Sequence, residues 1–447
     1  QTLRAVNNFR LSGVPISHYP KLVVGLAMVK QAAADANREL GQLSEAKHAA
    51  ISEACARLIR GDFHEEFVVD MIQGGAGTST NMNANEVIAN IALEAMGHQK
   101  GEYQYLHPNN DVNMAQSTND AYPTAIRLGL LLGHDALLAS LDSLIQAFAA
   151  KGVEFSHVLK MGRTQLQDAV PMTLGQEFRA FATTLGEDLA RLKTLAPELL
   201  TEVNLGGTAI GTGINADPRY QALAVQRLAV ISGQPVVPAA DLIEATSDMG
   251  AFVLFSGMLK RTAVKLSKIC NDLRLLSSGP RTGINEINLP ARQPGSSIMP
   301  GKVNPVIPEA VNQVAFQVIG NDLALTMAAE GGQLQLNVME PLIAFKIFDS
   351  IRLLQRAMDM LREHCIVGIT ANEARCRELV EHSIGLVTAL NPYIGYENAT
   401  RIARIALESG RGVLELVREE GLLDDAMLDD ILRPENMIAP RLVPLKA

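Results

Sequence analysis

The segment 295–305, which reads GSSIMPGKVNP, combines residue types that could do chemistry. It presents two adjacent hydroxyls, Ser296 and Ser297, together with a cation at Lys302 and an amide at Asn304. Hydroxyl and amide groups are directed hydrogen-bonding partners, and an ammonium group binds carboxylates. Because glycines and prolines interrupt the run, we expect a loop. A solvated connector between helices is the alternative.

Three other stretches are rich in small polar residues: GGAGTSTNMNAN at 74–85, QSTND at 116–120 and GRTQLQD at 162–168. Each is weak evidence by itself, because Gly, Ser, Thr and Asn are ordinary turn residues. Together the four stretches supply many directed donors and one cation, which suits a small dicarboxylate. The candidate site residues are Thr78, Ser117, Thr118, Asn119, Thr164, Gln165, Ser296, Ser297, Lys302 and Asn304.

The sequence gives less support for a nucleotide-binding site or a metal site. The Gly-Lys pair of GSSIMPGKV has the wrong glycine spacing for a phosphate loop, and Val303 stands where such a loop needs Ser or Thr. The glycine-rich stretch 204–215 lacks the dinucleotide spacing and follows a helical stretch rather than a strand. The nine histidines show no metal-ligand spacing, so we predict no metal site.

Composition indicates a helical protein. Hydrophobic residues make up 47% of the 447 residues but aromatic residues only 4%, so Ala, Leu, Val, Ile and Met supply the core. Such a composition favours helices packed on helices. With 39 basic and 48 acidic residues the net charge is -9, and no basic tract could follow a phosphate backbone. We therefore expect no nucleic-acid partner.

The environment of the chain is inferred from its cysteines and its apolar runs. Cys55, Cys270, Cys365 and Cys376 have neither CxxC spacing nor a small secreted context, so we expect reduced, mostly buried thiols. We see no apolar run that would span a bilayer and no signal segment, and we expect a soluble, cytoplasmic protein without a membrane partner. The chain begins with Gln rather than Met, so part of the natural N-terminus is expected to be absent.

Periodic apolar positions predict long helices. One helix is predicted from Ser44 to a stop at Gly61, and another over 22–40. A continuous stripe over 242–276 predicts a helix that needs another helix along its length. Further long helices are predicted after Pro123, after Pro308 and over 342–361, and nothing demands a large sheet.

The fold class predicted is all-α, with three domains. They are an N-terminal helical domain at 1–118, a central long-helix bundle at 119–373 that carries the loop 295–305, and a small C-terminal helical domain at 374–447.

The four polar stretches, in this order, resemble those of the aspartase/fumarase superfamily, and GSSIMPGKVNP resembles its signature loop closely. The resemblance extends from QTLRAVNNF to RPENMI. Within the superfamily, QSTNDAYPTA, GRTQLQDAVPMTLGQEFRAF, GQLQLNVMEP and LNPYIG are more similar to the aspartase branch, the aspartate ammonia-lyases. Fumarases typically show QSSND, LNTHIG and a His at the position of Gln165.

The resemblance implies roles for the site residues. Ser296 would be the general base, and Ser297, assisted by Ser117 and Thr118, would hold the β-carboxylate of the substrate. Lys302 and Asn304 would bind the α-carboxylate. The remaining positions, which line the pocket and face the amino group, would be Thr78, Asn119, Thr164 and Gln165.

The implied reaction is the reversible anti elimination of ammonia from L-aspartate to give fumarate, through an enediolate intermediate. The β-hydrogen is removed only if the dianion that forms is strongly stabilised, and loop donors around the carboxylate would do this. The resemblance also implies a homotetramer with a helical core and active sites shared between chains. It implies no required cofactor, and an activating Mg²⁺ at a separate site stays open.

Two other functions remain open at this point. The chain could be a fumarate hydratase of the same superfamily, which acts on malate and fumarate. It could also be a helical scaffold that keeps the bundle without turnover, although Ser296, Lys302 and Asn304 argue against this reading.

Overall fold

The structure is a computed structural model, and it describes residues 1–293, 295, 298–299 and 301–438. The fold is all-α, as predicted, with 66% of residues in helices. The α-helices of the described residues are α1 Thr2–Asn8, α2 Pro20–Glu39, α3 Glu45–Arg60, α4 Thr78–Ala95, α5 Thr118–Glu154, α6 Leu174–Leu200, α7 Tyr220–Ser232, α8 Leu242–Ser247, α9 Gly250–Leu276, α10 Val306–Glu330, α11 Glu340–His364, α12 Glu373–Glu381, α13 Leu386–Ile394, α14 Tyr396–Ser409, α15 Val413–Glu419, α16 Asp425–Ile431 and α17 Pro434–Met437.

Strands are few and short. The strands are β1 Leu159–Thr164, β2 Gln167–Thr173, β3 Glu202–Val203, β4 Val237–Pro238, β5 Ile287–Asn288 and β6 Thr370–Ala371. They form three two-stranded sheets, antiparallel for β1–β2 and β5–β6 and parallel for β3–β4. The expectation that no large sheet is needed is confirmed for the described residues.

The chain divides into two compact units. Unit 1 contains residues 1–139, 188–264 and 314–356, and unit 2 contains residues 140–187, 265–313 and 357–447. In unit 1, helix α2 packs against α3 and α7, and α3 packs against α4. In unit 2, the C-terminal helices α13 to α16 enclose an apolar cluster that includes Leu390, Ile402, Val417 and Leu428. The three domains predicted from the sequence remain a prediction.

The predicted helices are largely confirmed, with one correction. Helix α3 follows Ser44 and ends at Gly61, whose φ of 106° is the left-handed conformation that glycine adopts at low cost. The single helix predicted over 242–276 is wrong, because the chain leaves the helical conformation at Asp248 (ψ 134°). The Asp248 carboxylate then accepts a hydrogen bond from the amide of Gly250, where α9 begins.

The stripe predicted on α9 is buried. Its members, Leu259, Ala263, Leu266, Cys270 and Leu273, are at most 1% exposed. The four cysteines are free and buried, as expected.

Helix α5 is the exception to the expectation that no apolar run could span a membrane. By length and composition alone, α5 is long and apolar enough to cross a membrane. Half of its most apolar 18-residue segment is buried inside the protein. Of the apolar positions predicted to share one face of this helix, Leu137, Leu141, Leu144 and Phe148 are buried, and Leu138 and Ile145 are partly buried. A core helix of a folded protein shows the same composition, because both environments exclude water.

Helices α2 and α5 approach each other closely at Gly25. A Cβ atom at this position would lie 2.6 Å from the carbonyl oxygen of Ala125 and 3.2 Å from the amide nitrogen of Gly129. Both of these atoms belong to backbone, which cannot move aside as a flexible side chain can. The glycine therefore sets how near α2 can come to the first turns of α5.

The first turn of α5 is also fixed by a buried carboxylate. Asp120 is 0% exposed and accepts backbone hydrogen bonds from Ser117 (2.9 Å), Gly206 (3.0 Å) and Thr208 (2.9 Å). Burial raises the pKa of Asp120 to about 6, against the opposing effect of these three donors. One side chain thus ties the QSTND stretch to the glycine-rich stretch at 204–215.

The close approach of α2 and α5 predicts that Gly25→Ala lowers the thermal unfolding midpoint. Overpacking of this kind costs about 1–3 kcal/mol. Gly186→Ala on α6 is the matched control, because a Cβ there meets no atom within 4 Å, and the change should be neutral or slightly stabilising. Calorimetry would measure both midpoints. Equal shifts in the two variants would contradict the proposed packing constraint.

The raised pKa of Asp120 predicts a pH dependence of stability. Its folded-state pKa of about 6 exceeds the ordinary 3.8, so the folded state binds the proton more tightly between these values. The contribution of Asp120 to stability is therefore full below pH 3.8 and is lost as the pH rises through about 6. Asp120→Asn should flatten the midpoint-versus-pH profile over this window.

Asp217→Asn is the control for that experiment, because hydrogen bonds from Arg219 lower the pKa of Asp217 to about 2. Its contribution to stability is lost only as the pH falls below 3.8, outside the window of Asp120. An unchanged profile in Asp120→Asn would show that this carboxylate does not titrate as proposed.

Candidate functional site

Thr78 lies at the first position of α4, at the end of the GGAG run. Its hydroxyl donates to the carbonyl of Gly75 at 2.7 Å, and the side chain is exposed. Gly77, which precedes it, has φ 90°, and a Cβ there would overlap the ring of Tyr122 on α5. The glycine is required by both its backbone conformation and this packing. The glycine run therefore allows the start of α4, with Thr78 at its first position, to pack closely against α5.

Ser117, Thr118 and Asn119 form the entry into α5. The hydroxyl of Ser117 accepts a hydrogen bond from the amide of Asn119 at 3.2 Å. The side-chain amide of Asn119 donates to the carbonyl of Ala209 at 2.8 Å, and Asn204 donates to the Asn119 carbonyl at 3.0 Å. Backbone and side chains of the QSTND stretch are thus held in one conformation by residues 204–209.

Beneath these residues lies a buried cation, Lys30 on α2. Its Nζ donates to side-chain oxygens of Asn81 (2.6 Å), Asn113 (2.9 Å) and Gln116 (2.8 Å), and the residue is 0% exposed. Burial lowers the pKa of Lys30 to about 7, and the charge of Asp120 opposes this shift. An ammonium group has three N–H donors and a neutral amine only two, so three acceptors fit the charged form.

Asn81 connects this cation to the predicted site. Its Oδ1 accepts from Lys30, and its Nδ2 donates to the hydroxyl of Thr118 at 3.1 Å. Asn81 stands three residues after Thr78 on α4. Unit 1 therefore brings Thr78, Ser117, Thr118 and Asn119 into one polar group.

Sequence reasoning missed Lys30 and Asn81. Lys30 occupies a buried position of an otherwise apolar helix face, between Val29 and the alanines at 32–34. A charged residue in such a pattern is the signal that could have identified it, because an unpaired charge in a core is costly.

Thr164 and Gln165 lie at the tip of the β1–β2 hairpin in unit 2. Thr164 pairs with Gln167, so Gln165 and Leu166 form a two-residue turn with φ values of 54° and 64°. Positive φ at both positions matches the twist of a hairpin but strains residues other than glycine. The tip is exposed, and it presents the Gln165 side chain to solvent within this unit.

Buried charges hold strand β1 of that hairpin. Glu286 is 0% exposed and forms ion pairs with Arg163 at 2.8 Å and with Lys160 at 3.0 Å. Lys160 also pairs with Glu177 at 2.5 Å. Burial opposes the charge of Lys160, but the carboxylates of Glu177 and Glu286 outweigh it and raise the pKa of Lys160. Two cations and two anions compensate one another, which a buried ion network requires.

The signature loop is described only in part. Ser296 and Ser297, the predicted base and its neighbour, lie outside the described residues. A Cβ at Gly295 would overlap the carbonyl oxygen of Lys302, so the two ends of the loop approach each other closely. Lys302 is exposed, and Asn304 stands two residues before the start of α10, its carbonyl accepting a hydrogen bond from the amide of Val306 at 2.9 Å.

The predicted residues thus fall into two groups. Thr78 and residues 117–119 belong to unit 1, and the hairpin tip and residues 302–304 belong to unit 2. Over the described parts of unit 2, no hydrogen bond joins the hairpin tip to Lys302 or Asn304. Among the described residues, no group of three or more His, Cys, Asp or Glu side chains is placed to hold a metal ion.

This arrangement can bind anions by directed hydrogen bonds. Unit 1 offers hydroxyls and amides at the N-termini of α4 and α5, where unpaired backbone N–H groups favour negative charge. Unit 2 offers an exposed ammonium group, that of Lys302, on a loop whose ends approach each other closely at Gly295 and Lys302. Such donors stabilise a carboxylate and the negative charge that develops on it during proton removal.

Comparison with known proteins identifies the family. Residues 1–320 match a family model described as a lyase, and residues 386–439 match one described as the fumarase C C-terminus. The chain is 99% identical over 447 residues to an aspartate ammonia-lyase of Pseudomonas fluorescens, covering all of this chain and 94% of that protein.

Solved structures agree with the sequence matches. A fumarate lyase:delta crystallin from Brucella melitensis, bound to cobalt, is 62% identical with a TM-score of 0.95, covering 98% of this chain and 95% of that one. A recombinant class II fumarase from Schistosoma mansoni is 35% identical with a TM-score of 0.90, covering 98% and 94%. Matches along nearly the whole length, at these identities, show that the chain belongs to the aspartase/fumarase superfamily of lyases.

Proposed function

We propose that the protein is an aspartate ammonia-lyase, a carbon-nitrogen lyase that converts L-aspartate reversibly to fumarate and ammonia. The observation that carries this function is the 99% identity to an aspartate ammonia-lyase along the full chain. The polar group of unit 1 supports it, because hydroxyl and amide donors held by buried charges suit a small dicarboxylate. The substrate is thus a small molecule of amino-acid metabolism.

Proton removal is the difficult step. The β-hydrogen of aspartate lies next to a carboxylate, and its loss creates a dianionic enediolate. Ser296 is the proposed base, and the negative charge falls on the β-carboxylate, held by Ser297, Ser117 and Thr118. Hydrogen bonds already in place cost no reorganisation when the charge develops. Thr118 supports this role, because Asn81 and Lys30 hold its hydroxyl in position.

Loss of ammonia completes the reaction. The electron pair of the enediolate forms the carbon-carbon double bond as the carbon-nitrogen bond breaks on the opposite face. Lys302 and Asn304 hold the α-carboxylate, while Thr78, Asn119, Thr164 and Gln165 line the side of the amino group. The loop 295–305 would close over the substrate and exclude water, which strengthens each of these interactions.

The enzyme is proposed to act as a homotetramer with shared active sites. Helix α10 carries an exposed apolar face within one chain, with Phe316 62%, Leu323 63% and Met327 67% exposed. These residues stand seven and four positions apart, on one side of the helix. A contiguous apolar face of this kind indicates a protein interface.

The remaining expectations accompany this proposal. The chemistry above uses side chains alone, so no cofactor is required, and Mg²⁺ would act only as an activator at a separate site. The four free cysteines agree with a cytoplasmic, reducing environment.

The direct test is incubation with L-aspartate while the ultraviolet absorbance of fumarate is followed, with L-malate in a parallel reaction. We expect fumarate and an equal amount of ammonia from aspartate. Fumarate from malate alone would identify a fumarate hydratase. No turnover of either substrate would favour a scaffold without catalysis.

Ser296→Ala tests the base. General base catalysis contributes about 10²–10⁴-fold, so kcat should fall by that factor while aspartate still binds. Ser277→Ala is the control, because its hydroxyl donates to the carbonyl of Arg274 on an exposed surface. Steady-state kinetics and calorimetric binding would separate the two effects. Near-normal kcat in Ser296→Ala would contradict the assignment.

Lys302→Ala tests the proposed contact with the α-carboxylate. A hydrogen bond to a charged group is worth roughly 1.5–3 kcal/mol, so KM for aspartate should rise about tenfold or more. Lys193→Ala, at an exposed position of α6, should leave KM unchanged. Saturation kinetics of the two variants decide the point, and equal KM values would exclude the contact.

Phe316→Glu and Leu323→Glu test the interface on α10. Each variant places a carboxylate on the apolar face of α10 in every chain. If this face is buried in the tetramer, the assembly should dissociate, because charges are costly to bury. Leu407→Glu on α14, where the leucine is 73% exposed, is the control and should not change the mass. Light scattering would report the mass of each variant. Tetramers in all three variants would place the interface elsewhere.

A further inference from the structure

A cavity of about 420 Å³ lies in unit 1, where the start of α2 meets α5 and α11. Its size falls within the range of small-molecule sites. It is separate from the residues assigned to the aspartate site, and none of those residues lines it. The lining residues used below are Lys21, Ala136, Phe348, Ile351, Arg352 and Arg356.

The polar residues that line the cavity carry excess positive charge. Among the described residues, neither Lys21 nor Arg356 has a carboxylate within 4.0 Å. Arg352 pairs with Asp349 at 2.8 Å, but its Nε is buried and has no hydrogen-bond partner. Three cations therefore face the cavity against one carboxylate, and one buried N–H group lacks an acceptor. A buried donor without a partner is costly, and an anionic ligand would supply the acceptor.

The ionisation of His18, at the rim of the cavity, agrees with this charge. Burial lowers the pKa of His18 first, Arg352 and Arg356 lower it further, and Asp349 only partly opposes them. The groups around the cavity thus disfavour additional positive charge. The same groups favour an anion.

Part of the cavity lining is apolar. Phe348 and Ile351 are 6% and 7% exposed, and the short side chain of Ala136 leaves room beside them. Arginine binds phosphate and carboxylate groups through paired N–H donors. We propose that this cavity binds a small organic anion, with a phosphate or carboxylate group at Lys21, Arg352 and Arg356 and a compact apolar body against Phe348 and Ile351.

Titration calorimetry on the intact enzyme tests the proposal, and no turnover enters the measurement. The measurement uses the Lys302→Ala variant, because this change should weaken binding of carboxylates at the proposed aspartate site. The probes are phenyl phosphate and phthalate. Inorganic phosphate is the reference ligand, because it lacks the apolar body. We expect one of the two aromatic anions to bind at least tenfold more tightly than inorganic phosphate. The tighter one identifies a phosphate ester or a carboxylate as the ligand class.

Two variants, Arg356→Gln and Lys21→Gln, test whether the aromatic anion binds in this cavity. Both residues are exposed, so these variants should fold, and each should weaken binding of the aromatic anion fivefold or more. Lys193→Gln removes the same charge from α6 and should leave the affinity unchanged. Binding of neither aromatic anion, or equal affinity in all variants, would overturn the proposal. Equal affinity for inorganic phosphate would overturn the apolar part of the site.

Discussion

The arrangement of the unit 1 site depends on one buried ammonium group. Lys30 places a positive charge in the core and satisfies it with three side-chain oxygens rather than with an adjacent carboxylate. Each acceptor belongs to a different part of the site. Asn81 lies on α4, Asn113 directly follows the π-helical turn Pro108–Val112, and Gln116 begins the QSTND stretch. An unsatisfied buried charge would be costly, so these three segments are held together.

The hairpin of unit 2 follows the same physical principle. A loop with positive φ at Gln165 and Leu166 is not favoured by its own sequence. The ion pairs of Glu286 with Arg163 and Lys160 fix the strand that carries it. In a protein built mainly of helices, buried charges thus give fixed positions to the polar segments of the candidate site. The aspartate site and the anion cavity differ here, because the cations of the cavity are left without full compensation.

Much of the fold follows from patterns in the sequence. The periodic stripe of α9 and the stop at Gly61 are local signals, and the structure places both as predicted. The break at Asp248 was missed because an apolar period continues across it, while a single side-chain cap decides where α9 begins. The hairpin tip was identified as a polar stretch but not as a turn, since its positive φ values depend on pairing with β2.

The candidate site was predicted from hydroxyls, amides and one cation on four polar stretches. The residues that position them, Lys30, Asn81 and Glu286, were not singled out, because each gains its role from contacts distant along the chain. Asn81 was one amide among several in the polar stretch 74–85. Local patterns therefore identify the groups that contact a substrate more readily than the buried charges that fix them.

The dependence of the site on Lys30 is tested most directly by the aspartate kinetics of Lys30→Met, with Lys193→Met at an exposed position of α6 as the control. Loss of the ammonium group frees Asn81 and Gln116, so kcat/KM for L-aspartate should fall by two orders of magnitude or more, about 3 kcal/mol of transition-state stabilisation. The control should keep the kcat/KM of the unmodified chain. Normal kcat/KM in a folded Lys30→Met protein would contradict the account.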